Sequence, residues 1–437
     1  MQVIKFGGSS VASAENISKV VEIVKGKTGT TKVVVVVSAL GGITDLLLQC
    51  AAMAAANNES YKTTAQEIEL RHLNTVKELL PVTLQSSVLS AVKKMCNEIE
   101  DICNGIFLLG ELSERTKDKI VSYGELISSQ IIAAKLKAVE LDVQWKDSRE
   151  LIITDSNFGA ALVDFAATNN NIQNYFSSDK ASLFIVPGFI AADANGTTTT
   201  LGRGGSDYTA AIIAGAVDAS VLEIWTDVSG MMTADPRIVT NIKLIPKISY
   251  QEAMELSHFG AKVIYPPTIQ PVMSKNIPVW IKNTFAPEDE GTVIQNESMK
   301  NGNAIRGISS INKISLISLE GSGMVGIPGF SKRLFEALAN NKINVILITQ
   351  SSSEHSICVA VDAANVTTAK LAVDAAFAYE IETKKVDPLI IENDLAIVAL
   401  VGDNMKSHTG IAGRMFSALG KNGINIRAIA QGSSERN

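Results

Sequence analysis

The first 50 residues alternate between short apolar runs and amphipathic stretches. Residues 3–6 form an apolar run that predicts a strand, and a Gly-Gly turn follows it. Apolar residues then recur at helical spacing, at Ile17, Val20, Val21 and Val24. Ser13 is a suitable N-cap for that helix, and the β-branched run Val33–Val37 predicts a second strand covered on both faces. This alternation is typical of a βα protein.

From residue 61 to residue 141 the pattern is mostly helical, with breaks at Pro81 and around Gly105, and we interpret it as a helical insertion. Strand patterns return at residues 183–186, 221–225 and 279–281, and helical patterns at residues 206–217 and 251–257. Alternating strands and helices predict an α/β fold in which helices cover both faces of a mainly parallel sheet.

A turn-rich stretch without periodicity, residues 285–303, is the best candidate for a domain boundary because it holds Pro287, Gly291 and Gly302. It separates a first domain at residues 1–290 from a second part that starts at residue 304.

The second part contains an internal repeat. Identical residues recur 81 positions apart in six pairs: Met324 and Met405, Phe335 and Phe416, Asn344 and Asn425, Gln350 and Gln431, Ser352 and Ser433, and Glu354 and Glu435. Each copy predicts a strand, a glycine-rich turn, an amphipathic helix and a second strand. The copies occupy residues 304–392 and 393–437, so the second is incomplete at its C-terminus.

Composition and charge exclude several classes of protein. The 437 residues, 46% hydrophobic and 19% charged, predict a folded chain of two to four domains rather than a disordered one. The net charge is -6 without a basic block, and no apolar run reaches the ~18 residues of a membrane span. We therefore expect a cytoplasmic protein with no nucleic-acid or membrane partner. Four scattered cysteines without neighbouring histidines predict reduced thiols.

The first glycine-rich turn reads Lys-Phe-Gly-Gly-Ser-Ser at residues 5–10. At the junction of a strand and a helix, backbone N–H groups and the helix dipole favour an anion, and Lys5 adds a positive charge. The alternative is an ordinary βα turn with a surface lysine. The turn lacks the G-x-x-x-x-G-K-[ST] pattern, which excludes a P-loop.

The second glycine-rich turn reads Leu-Gly-Arg-Gly-Gly-Ser-Asp at residues 201–207. Its glycines allow a ligand to approach the backbone closely, and the planar guanidinium of Arg203 suits a carboxylate. Ser206 and Asp207 open the helix that follows. Asp207 alone is more typical of an N-cap, but beside two glycine-rich turns we interpret it as catalytic.

Further polar residues follow a later strand. Thr226 and Asp227 come directly after it, and an Ala-Asp-Pro-Arg turn ends at Arg237. Because ligands of open α/β sheets collect at the carboxyl ends of strands, we expect these motifs to form one composite site. Thr44 and Glu125 are weaker candidates, since a helix N-cap and a helix-face carboxylate are the alternatives.

Residues 321–326 match the dinucleotide pattern G-x-G-x-x-G after a strand. The second copy of the repeat does not keep the pattern, and the next strand ends in Gln350 rather than in an acidic residue for a ribose. A nicotinamide site is therefore disfavoured.

At these motifs the sequence resembles the aspartokinases of the amino-acid kinase superfamily, over essentially the whole chain. The resemblance rests on Lys-Phe-Gly-Gly-Ser-Ser at 5–10, Gly-Arg-Gly-Gly-Ser-Asp at 202–207, Trp-Thr-Asp-Val at 225–228 and Phe-Gly-Ala-Lys-Val at 259–263. Residues 249–257 and the Gln-x-Ser-Ser-Glu of each repeat are most similar to the kinase half of bifunctional aspartokinase–homoserine dehydrogenases. The resemblance implies a three-layer αβα kinase domain followed by ferredoxin-like (βαββαβ) ACT repeats.

The resemblance also implies an activity, the transfer of the γ-phosphate of ATP, with Mg²⁺, to the side-chain carboxylate of L-aspartate. This forms 4-phospho-L-aspartate in the first step of lysine, threonine and methionine biosynthesis. By the same resemblance Lys5 and Asp207 are catalytic, and phosphate is bound by Gly7, Gly8 and Ser9. Aspartate is bound by Thr44, Glu125, Arg203, Gly204, Gly205 and Ser206. ATP is bound by Thr226, Asp227, Arg237 and Lys262.

This activity agrees with the chemistry of the motifs. A carboxylate substrate is already ionised at neutral pH, so the reaction needs positive charge rather than a general base. Lys5, Arg203, Lys262 and Mg²⁺ supply that charge. A kinase of another acidic amino acid and a catalytically dead amino-acid sensor are the alternatives.

The chain departs from the family pattern at three places. It has Ser9 where threonine is usual, a change that keeps the hydroxyl. It has Met232 where tyrosine is frequent and Tyr-Pro-Pro at 265–267 where His-Pro-Arg is frequent. We expect the last two differences to alter packing beside the adenine and not the reaction.

The ACT repeats imply regulation by an amino acid that contacts Asn344, Gln350, Asn425 and Gln431. Similarity to bifunctional chains favours threonine over lysine as the effector, and the repeats favour a homodimer or a higher homo-oligomer. Because the second repeat is incomplete, we expect the natural chain to continue past Asn437 into the rest of the repeat and a homoserine dehydrogenase domain.

Overall fold

The computed structural model describes residues 1–29, 31–258, 264–297, 305–350, 355–403, 405 and 408–430. The chain divides into two compact units. Among the described residues, the first unit consists of those up to residue 297 except 234–240 and His258. The second unit consists of 234–240, His258 and the described residues from 305 onward. None of the described helices combines the length and the apolar character needed to cross a membrane.

The first unit alternates strands and helices. Its strands are β1 Gln2–Phe6, β2 Val33–Val37, β3 Val143–Trp145, β4 Ile153–Thr154, β5 Leu183–Pro187, β6 Ile190–Asp193, β7 Thr198–Thr200, β8 Val221–Thr226, β9 Lys247–Ser249, β10 Val279–Asn283 and β11 Thr292–Gln295. Its helices are α1 Ala14–Lys25, α2 Ile43–Ala55, α3 Tyr61–Leu79, α4 Val82–Leu109, α5 Glu114–Ala138, α6 Phe165–Ser178, α7 Gly205–Ala216, α8 Tyr250–His258 and α9 Gln270–Met273.

In the described residues, eight of these strands form one sheet in the order β3-β5-β2-β1-β8-β10-β11-β9. The strands from β3 to β10 in this order run parallel, and β11 is antiparallel to β10. The carboxyl ends of β2, β1 and β8 therefore lie side by side at one edge. The predicted mainly parallel sheet is confirmed.

Helices cover both faces of the sheet at β1. Ile4 and Phe6 belong to a buried core that includes Ile17 of α1. Lys5 points to the opposite face because side chains alternate along a strand, and there it meets α7. Every residue of β2 is buried, so the prediction of a strand covered on both faces is confirmed. The predicted cap is also confirmed, since the Asn16 N–H donates to the Ser13 hydroxyl at 3.2 Å.

The helical insertion consists of α3, α4 and α5, and Pro81 separates the first two as predicted. The predicted break around Gly105 is wrong. Gly105 lies inside α4, which continues to Leu109 and ends at Gly110 with a left-handed φ of 64°. A glycine inside a helix lowers helix propensity by only about 1 kcal/mol, and the buried face of α4 outweighs that cost.

The predicted linker at residues 285–303 is too long. β11 lies within it and pairs with β10, so the sheet of the first unit extends past residue 290. The turn residues Pro287 and Gly291 lie in the connection between these two antiparallel strands, which explains why they resemble a linker in sequence.

The second unit is built on an antiparallel sheet. Its elements are β12 Ile305–Glu320, α10 Phe330–Asn340, β13 Leu347–Gln350, β14 Ser356–Asp362, α11 Val366–Ala376, α12 Ala378–Glu382, β15 Ile390–Gly402 and α13 Ile411–Lys421. The sheet order is β13-β14-β12-β15. Up to β15 this is the predicted ferredoxin-like βαββαβ arrangement. The predicted border between the repeats, at 392 and 393, falls inside β15, which pairs along most of β12.

Candidate active site

A cavity of about 310 Å³ opens at the carboxyl ends of β1 and β2. Its wall contains eight of the predicted site residues: Lys5, Gly8, Thr44, Glu125, Gly204, Gly205, Ser206 and Asp207. The fold thus brings together the two glycine-rich turns, which are almost 200 residues apart in the chain.

Lys5 and Asp207 form an ion pair in this cavity. The Lys5 Nζ lies 2.6 Å from the Asp207 Oδ1, and the two side chains are only 10% and 14% exposed. The N-cap of α7 is Gly204, so Asp207 is not the cap and its carboxylate is directed at Lys5 instead. The pair fixes an ammonium group at the wall of the cavity.

Two helices begin at the cavity, α2 and α7. Their N-caps are Gly42 and Gly204, with φ of 80° and 71°, a conformation that glycine adopts without strain. A glycine cap has no side chain to accept the N–H groups of the first turn. The Ile43 and Gly205 N–H groups donate to the Leu40 and Gly202 carbonyls, and the remaining first-turn N–H groups and the positive helix ends favour an anion. Thr44 and Ser206, in the first turns of these helices, also line the cavity.

The turn after β1 is held close to its neighbours. The Gly7 N–H donates to the Trp225 carbonyl at 3.1 Å. A Cβ on Gly8 would lie 3.3 Å from the Ala39 carbonyl oxygen, so a side chain there would crowd the turn. Ser9 accepts a hydrogen bond from the Asn16 amide through its carbonyl, at 2.9 Å. Of the three predicted phosphate ligands, Gly8 lines the cavity, and Gly7 and Ser9 flank it.

Glu125 projects from α5 into the cavity and is almost completely buried. Its carboxylate accepts a hydrogen bond from the Ala39 N–H, but its Oε2 has no hydrogen-bond partner among the described residues. Burial raises the pKa of Glu125 to about 8, against the opposing effects of that N–H and of Lys5. A positively charged group of a ligand would stabilise the ionised form of this buried carboxyl.

Arg203 is exposed and lies outside the cavity wall. Its guanidinium lies over the ring of Tyr265, 5.7 Å from the ring centre. Tyr265 also packs so tightly on the glycine-rich turn that a Cβ on Gly204 would lie 2.8 Å from the Tyr265 Cβ. Tyr265 thus contacts the turn at residues 202–206, and its expected effect on packing beside the adenine stays a prediction.

The predicted ATP ligands are less fully described. Thr226 ends β8, and its hydroxyl donates to the exposed Asp227 at 3.1 Å. Arg237 belongs to the second unit, where its guanidinium pairs with Asp235 at 2.7 Å. Lys262 lies outside the described residues. The assignment of these four residues to ATP stays a prediction.

The predicted effector residues are exposed where the structure describes them. Gln350 ends β13 opposite Ile357 of β14, and Asn344 and Asn425 lie in connecting segments. Gln431 lies outside the described residues. Their role stays a prediction.

Part of the cavity wall was not predicted from the sequence. Residues 38–42 directly follow β2 and line the cavity, and the Arg71 guanidinium holds their turn by donating to the Gly41 carbonyl at 2.7 Å. Their Gly-Gly pair at the end of a parallel strand was a signal for such a site. Phe189 also lines the cavity, with an unusual φ of 67°, and nothing in the sequence indicates that conformation.

The G-x-G-x-x-G pattern at residues 321–326 has a packing explanation. A Cβ on Gly321 would collide with the Lys385 carbonyl oxygen, and one on Gly323 would lie 2.5 Å from the Lys385 Cβ. The two glycines are therefore required by the close approach of the chain at Lys385.

Comparisons with known proteins agree with this architecture. Residues 1–283 match the amino acid kinase family, and residues 317–377 and 398–437 match an ACT domain. The chain is 36% identical over 441 residues to the chloroplastic bifunctional aspartokinase/homoserine dehydrogenase 1 of Zea mays, with all of this chain and 48% of that protein covered. It thus spans about half the length of the first curated relatives it matches.

One curated sequence and one crystal structure, both from Escherichia coli, match over nearly their whole length. Lysine-sensitive aspartokinase 3 of strain K12 is 33% identical over 455 residues, which cover all of this chain and 94% of that one. The crystal structure of E. coli aspartokinase III in complex with aspartate and ADP (R-state) matches with a TM-score of 0.85 at 30% identity, covering all of this chain and 94% of that one. The chain therefore belongs to the amino acid kinase family and, within it, to the aspartokinases.

Proposed function

We propose that the chain is an aspartate kinase, which transfers the γ-phosphate of ATP to the side-chain carboxylate of L-aspartate and forms 4-phospho-L-aspartate. The cavity that joins the Lys5–Asp207 pair, the starts of α2 and α7, and the buried Glu125 carries this proposal. It offers positive groups to two anions and, in Glu125, a carboxyl group that a cation can ionise, which matches a phosphoryl group and an acidic amino acid.

In the proposed reaction a side-chain carboxylate oxygen of aspartate attacks the γ-phosphorus, and the bond to the bridging oxygen breaks with its electron pair leaving on ADP. No proton has to move, because the nucleophile is already ionised. Lys5 and the first-turn N–H groups stabilise the charge on the transferred group, and Asp207 holds the Lys5 ammonium in place.

The same cavity distinguishes the remaining groups of aspartate. Glu125 binds its ammonium, since the Oε2 of Glu125 lacks a partner among the described residues. Arg203, Ser206 and the start of α7 bind its α-carboxylate. Positioning of two anions within one small cavity is the main contribution of the protein.

ATP and Mg²⁺ complete the proposal. The E. coli relative was solved with ADP, which supports ATP as the phosphate donor. Among the described residues no cluster of three His, Cys, Asp or Glu side chains could hold a metal ion. We infer that Mg²⁺ arrives with the nucleotide, because Mg²⁺ in kinases is held mostly by phosphates, water and one or two carboxylates. When bound, Mg²⁺ neutralises phosphate charge.

A hydroxylamine trap of the acyl phosphate tests the proposed substrate. With ATP and wild-type protein, aspartate should give the hydroxamate, and glutamate and N-acetylglutamate should give about 100-fold less or none. A larger yield from glutamate would identify a kinase of another acidic amino acid. No hydroxamate from any of the three acids would favour an amino-acid sensor.

Regulation is the second part of the proposal. The ACT domain match supports an amino-acid effector, with threonine as the predicted one, and the E. coli relative is named lysine-sensitive. Inhibition assays with threonine and lysine in parallel decide between them. A homo-oligomer formed through the ACT repeats and a cytoplasmic location remain predictions.

A further inference from the structure

Asp118 is a buried carboxylate of α5 that the proposed reaction does not use. The residue is 2% exposed and lies outside the cavity wall. Within the part of the chain that the structure describes, its two oxygens accept four hydrogen-bond contacts from two residues. The Gly159 N–H lies 2.9 and 3.1 Å from them, the Thr200 N–H at 3.0 Å and the Thr200 hydroxyl at 2.8 Å.

Both partners of Asp118 support the turn at residues 202–206. Thr200 ends β7, and the turn begins two residues later. Gly159 packs against the turn itself, because a Cβ on Gly202 would lie 3.2 Å from the Gly159 carbonyl oxygen. The Ala161 N–H donates to the Thr200 carbonyl at 2.9 Å, which joins the two supporting segments to each other.

Asp118 also lies on the helix that carries Glu125. The two residues are seven positions apart on α5, so they share one face of that helix. Glu125 and the turn at 202–206 stand on different elements but line one cavity. The hydrogen bonds of Asp118 therefore connect the two elements that have to be correctly spaced for one ligand.

The burial of this carboxylate has a cost that its hydrogen bonds reduce. Burial raises the pKa of Asp118, while the donors on Gly159 and Thr200 lower it. A buried carboxylate without hydrogen bonds would be strongly unfavourable. The position of Asp118 on α5 and the positions of Gly159 and Thr200 are therefore coupled.

We propose that Asp118 is a positioning residue for the amino-acid substrate, which sets the spacing between Glu125 and the turn at residues 202–206. This rests on the proposed aspartate kinase activity. Asp118 acts through the placement of other residues and does not touch the reacting atoms. Its removal should weaken the binding of aspartate more than the binding of ATP, because both elements that it connects contribute to the aspartate side of the cavity.

Asp118→Asn tests the proposal with little change of shape. An asparagine at this position presents an NH₂ group to N–H donors, so at least one hydrogen bond is replaced by a repulsive contact. We expect the aspartate KM to rise by about 10-fold or more, with the ATP KM within about twofold of wild type. The aspartate-dependent increase of Tm should fall in parallel, which reports binding without turnover.

Asp193→Asn is the matched control. Asp193 is 5% exposed and lies at the opposite end of the β6–β7 hairpin, where it accepts the backbone N–H groups of Asn195 and Thr197 and the Ser156 hydroxyl. The control should lower the Tm of the free protein and leave both KM values unchanged. If Asp118→Asn only lowers Tm and active yield, as the control does, or raises both KM values equally, the proposal is wrong.

Thr200 provides a second test should Asp118→Asn not fold. Thr200→Ser keeps the hydroxyl that donates to Asp118 and should keep the aspartate KM, whereas Thr200→Val removes it and should raise that KM about threefold or more. Equal KM values for the two variants would overturn the proposal. Wild-type protein that forms no acyl phosphate from aspartate would overturn the proposed function and this inference together, whereas an active wild type with unchanged variants would overturn only the inference.

Discussion

At the scale of single residues, the surroundings of Arg203 predict a role in substrate affinity. Its guanidinium is exposed, lies over the Tyr265 ring and adjoins the cavity rather than lining it. It would bind the α-carboxylate of aspartate equally in the ground state and in the transition state. Arg203→Ala should therefore raise the aspartate KM by about 10-fold or more and change kcat little.

Tyr265 supplies the matched comparison for Arg203. Tyr265→Phe keeps the ring and should behave like wild type, whereas Tyr265→Leu should raise the aspartate KM by a smaller factor than Arg203→Ala. Steady-state kinetics with each substrate varied in turn check both. If Arg203→Ala raises the ATP KM and leaves the aspartate KM unchanged, Arg203 binds ATP and not aspartate.

The buried carboxyl of Glu125 predicts a pH dependence. With a pKa of about 8 it is mostly protonated in the free protein at neutral pH, and the ammonium of aspartate favours its ionised form. The aspartate KM should therefore fall as the pH rises from about 6.5 to about 8, and binding should release protons. Glu125→Gln should have a higher KM without this slope.

Calorimetric titration of aspartate in buffers of different ionisation enthalpy measures the released protons directly. The stability of the free protein provides a further check of the sign. A carboxyl whose pKa is raised by folding contributes stability below its unfolded pKa, and that contribution is lost as the pH rises through about 8. An aspartate KM of wild type that is flat over this range would contradict the role given to Glu125.

The site residues that could be predicted from the sequence are those that belong to short recognisable motifs. Lys5 and Asp207 stand in glycine-rich turns, and they meet in the cavity. Asp118 and Arg71 stand on helices without any local signal. Their partners, Thr200 and Gly41, are 82 and 30 positions away, and only the packing of α5 and α3 brings them together.

At the scale of elements, the start of α7 is the most sensitive point. Gly204 has a φ of 71°, and a Cβ there would lie 2.8 Å from Tyr265. Gly204→Ala should lower kcat/KM for aspartate by about 100-fold, because it combines backbone strain with displacement of the turn.

Gly196 is the control for this prediction. Its φ is 76°, and no atom of the described residues lies within 4 Å of the position of its Cβ, so Gly196→Ala introduces strain without a collision. It should cost about 1 kcal/mol of stability and leave the kinetics unchanged. Equal activity of the two variants would show that the start of α7 tolerates displacement.

The elements themselves could be predicted to different degrees. Strands such as β2 are specified by their own apolar runs, and the structure agrees with them. The end of α4 could not be predicted, because Gly105 and Gly110 are equivalent in sequence. Only the left-handed conformation of Gly110 makes it the cap.

At the scale of the whole molecule, the ACT unit offers a test that leaves the kinase unit unchanged. Gln350 is exposed at the end of β13, where its amide is available to an effector amino acid. Gln350→Ala should blunt feedback inhibition by about 10-fold in effector concentration and keep uninhibited activity. Thr349→Ala, on the opposite face of β13, is the control.

The inhibition curves for both variants should be recorded with threonine and with lysine. An unchanged curve for Gln350→Ala with the amino acid that inhibits wild type would remove Gln350 from the effector site.

Domain organisation was predictable from the repeat but its borders were not. The border predicted at 392 and 393 lies inside β15, because β15 is one long strand that pairs with β12 on both sides of that position. Similarly, β11 was predicted to be part of a linker. It has only four residues, too few to show a clear alternation of apolar and polar positions.

The cavity at β1 and β2 is the proposed site of phosphoryl transfer from ATP to aspartate. Phosphorus NMR of wild-type protein with ATP, Mg²⁺ and aspartate measures this transfer directly. The γ-phosphate signal should be replaced by ADP and an acyl phosphate, and Lys5→Ala should slow this by about 100-fold. Lys27→Ala, which breaks an ion pair of equal length with Glu223 outside the cavity, should match wild type. Absence of an acyl phosphate with wild type, or an unimpaired Lys5→Ala variant, would contradict the proposed reaction.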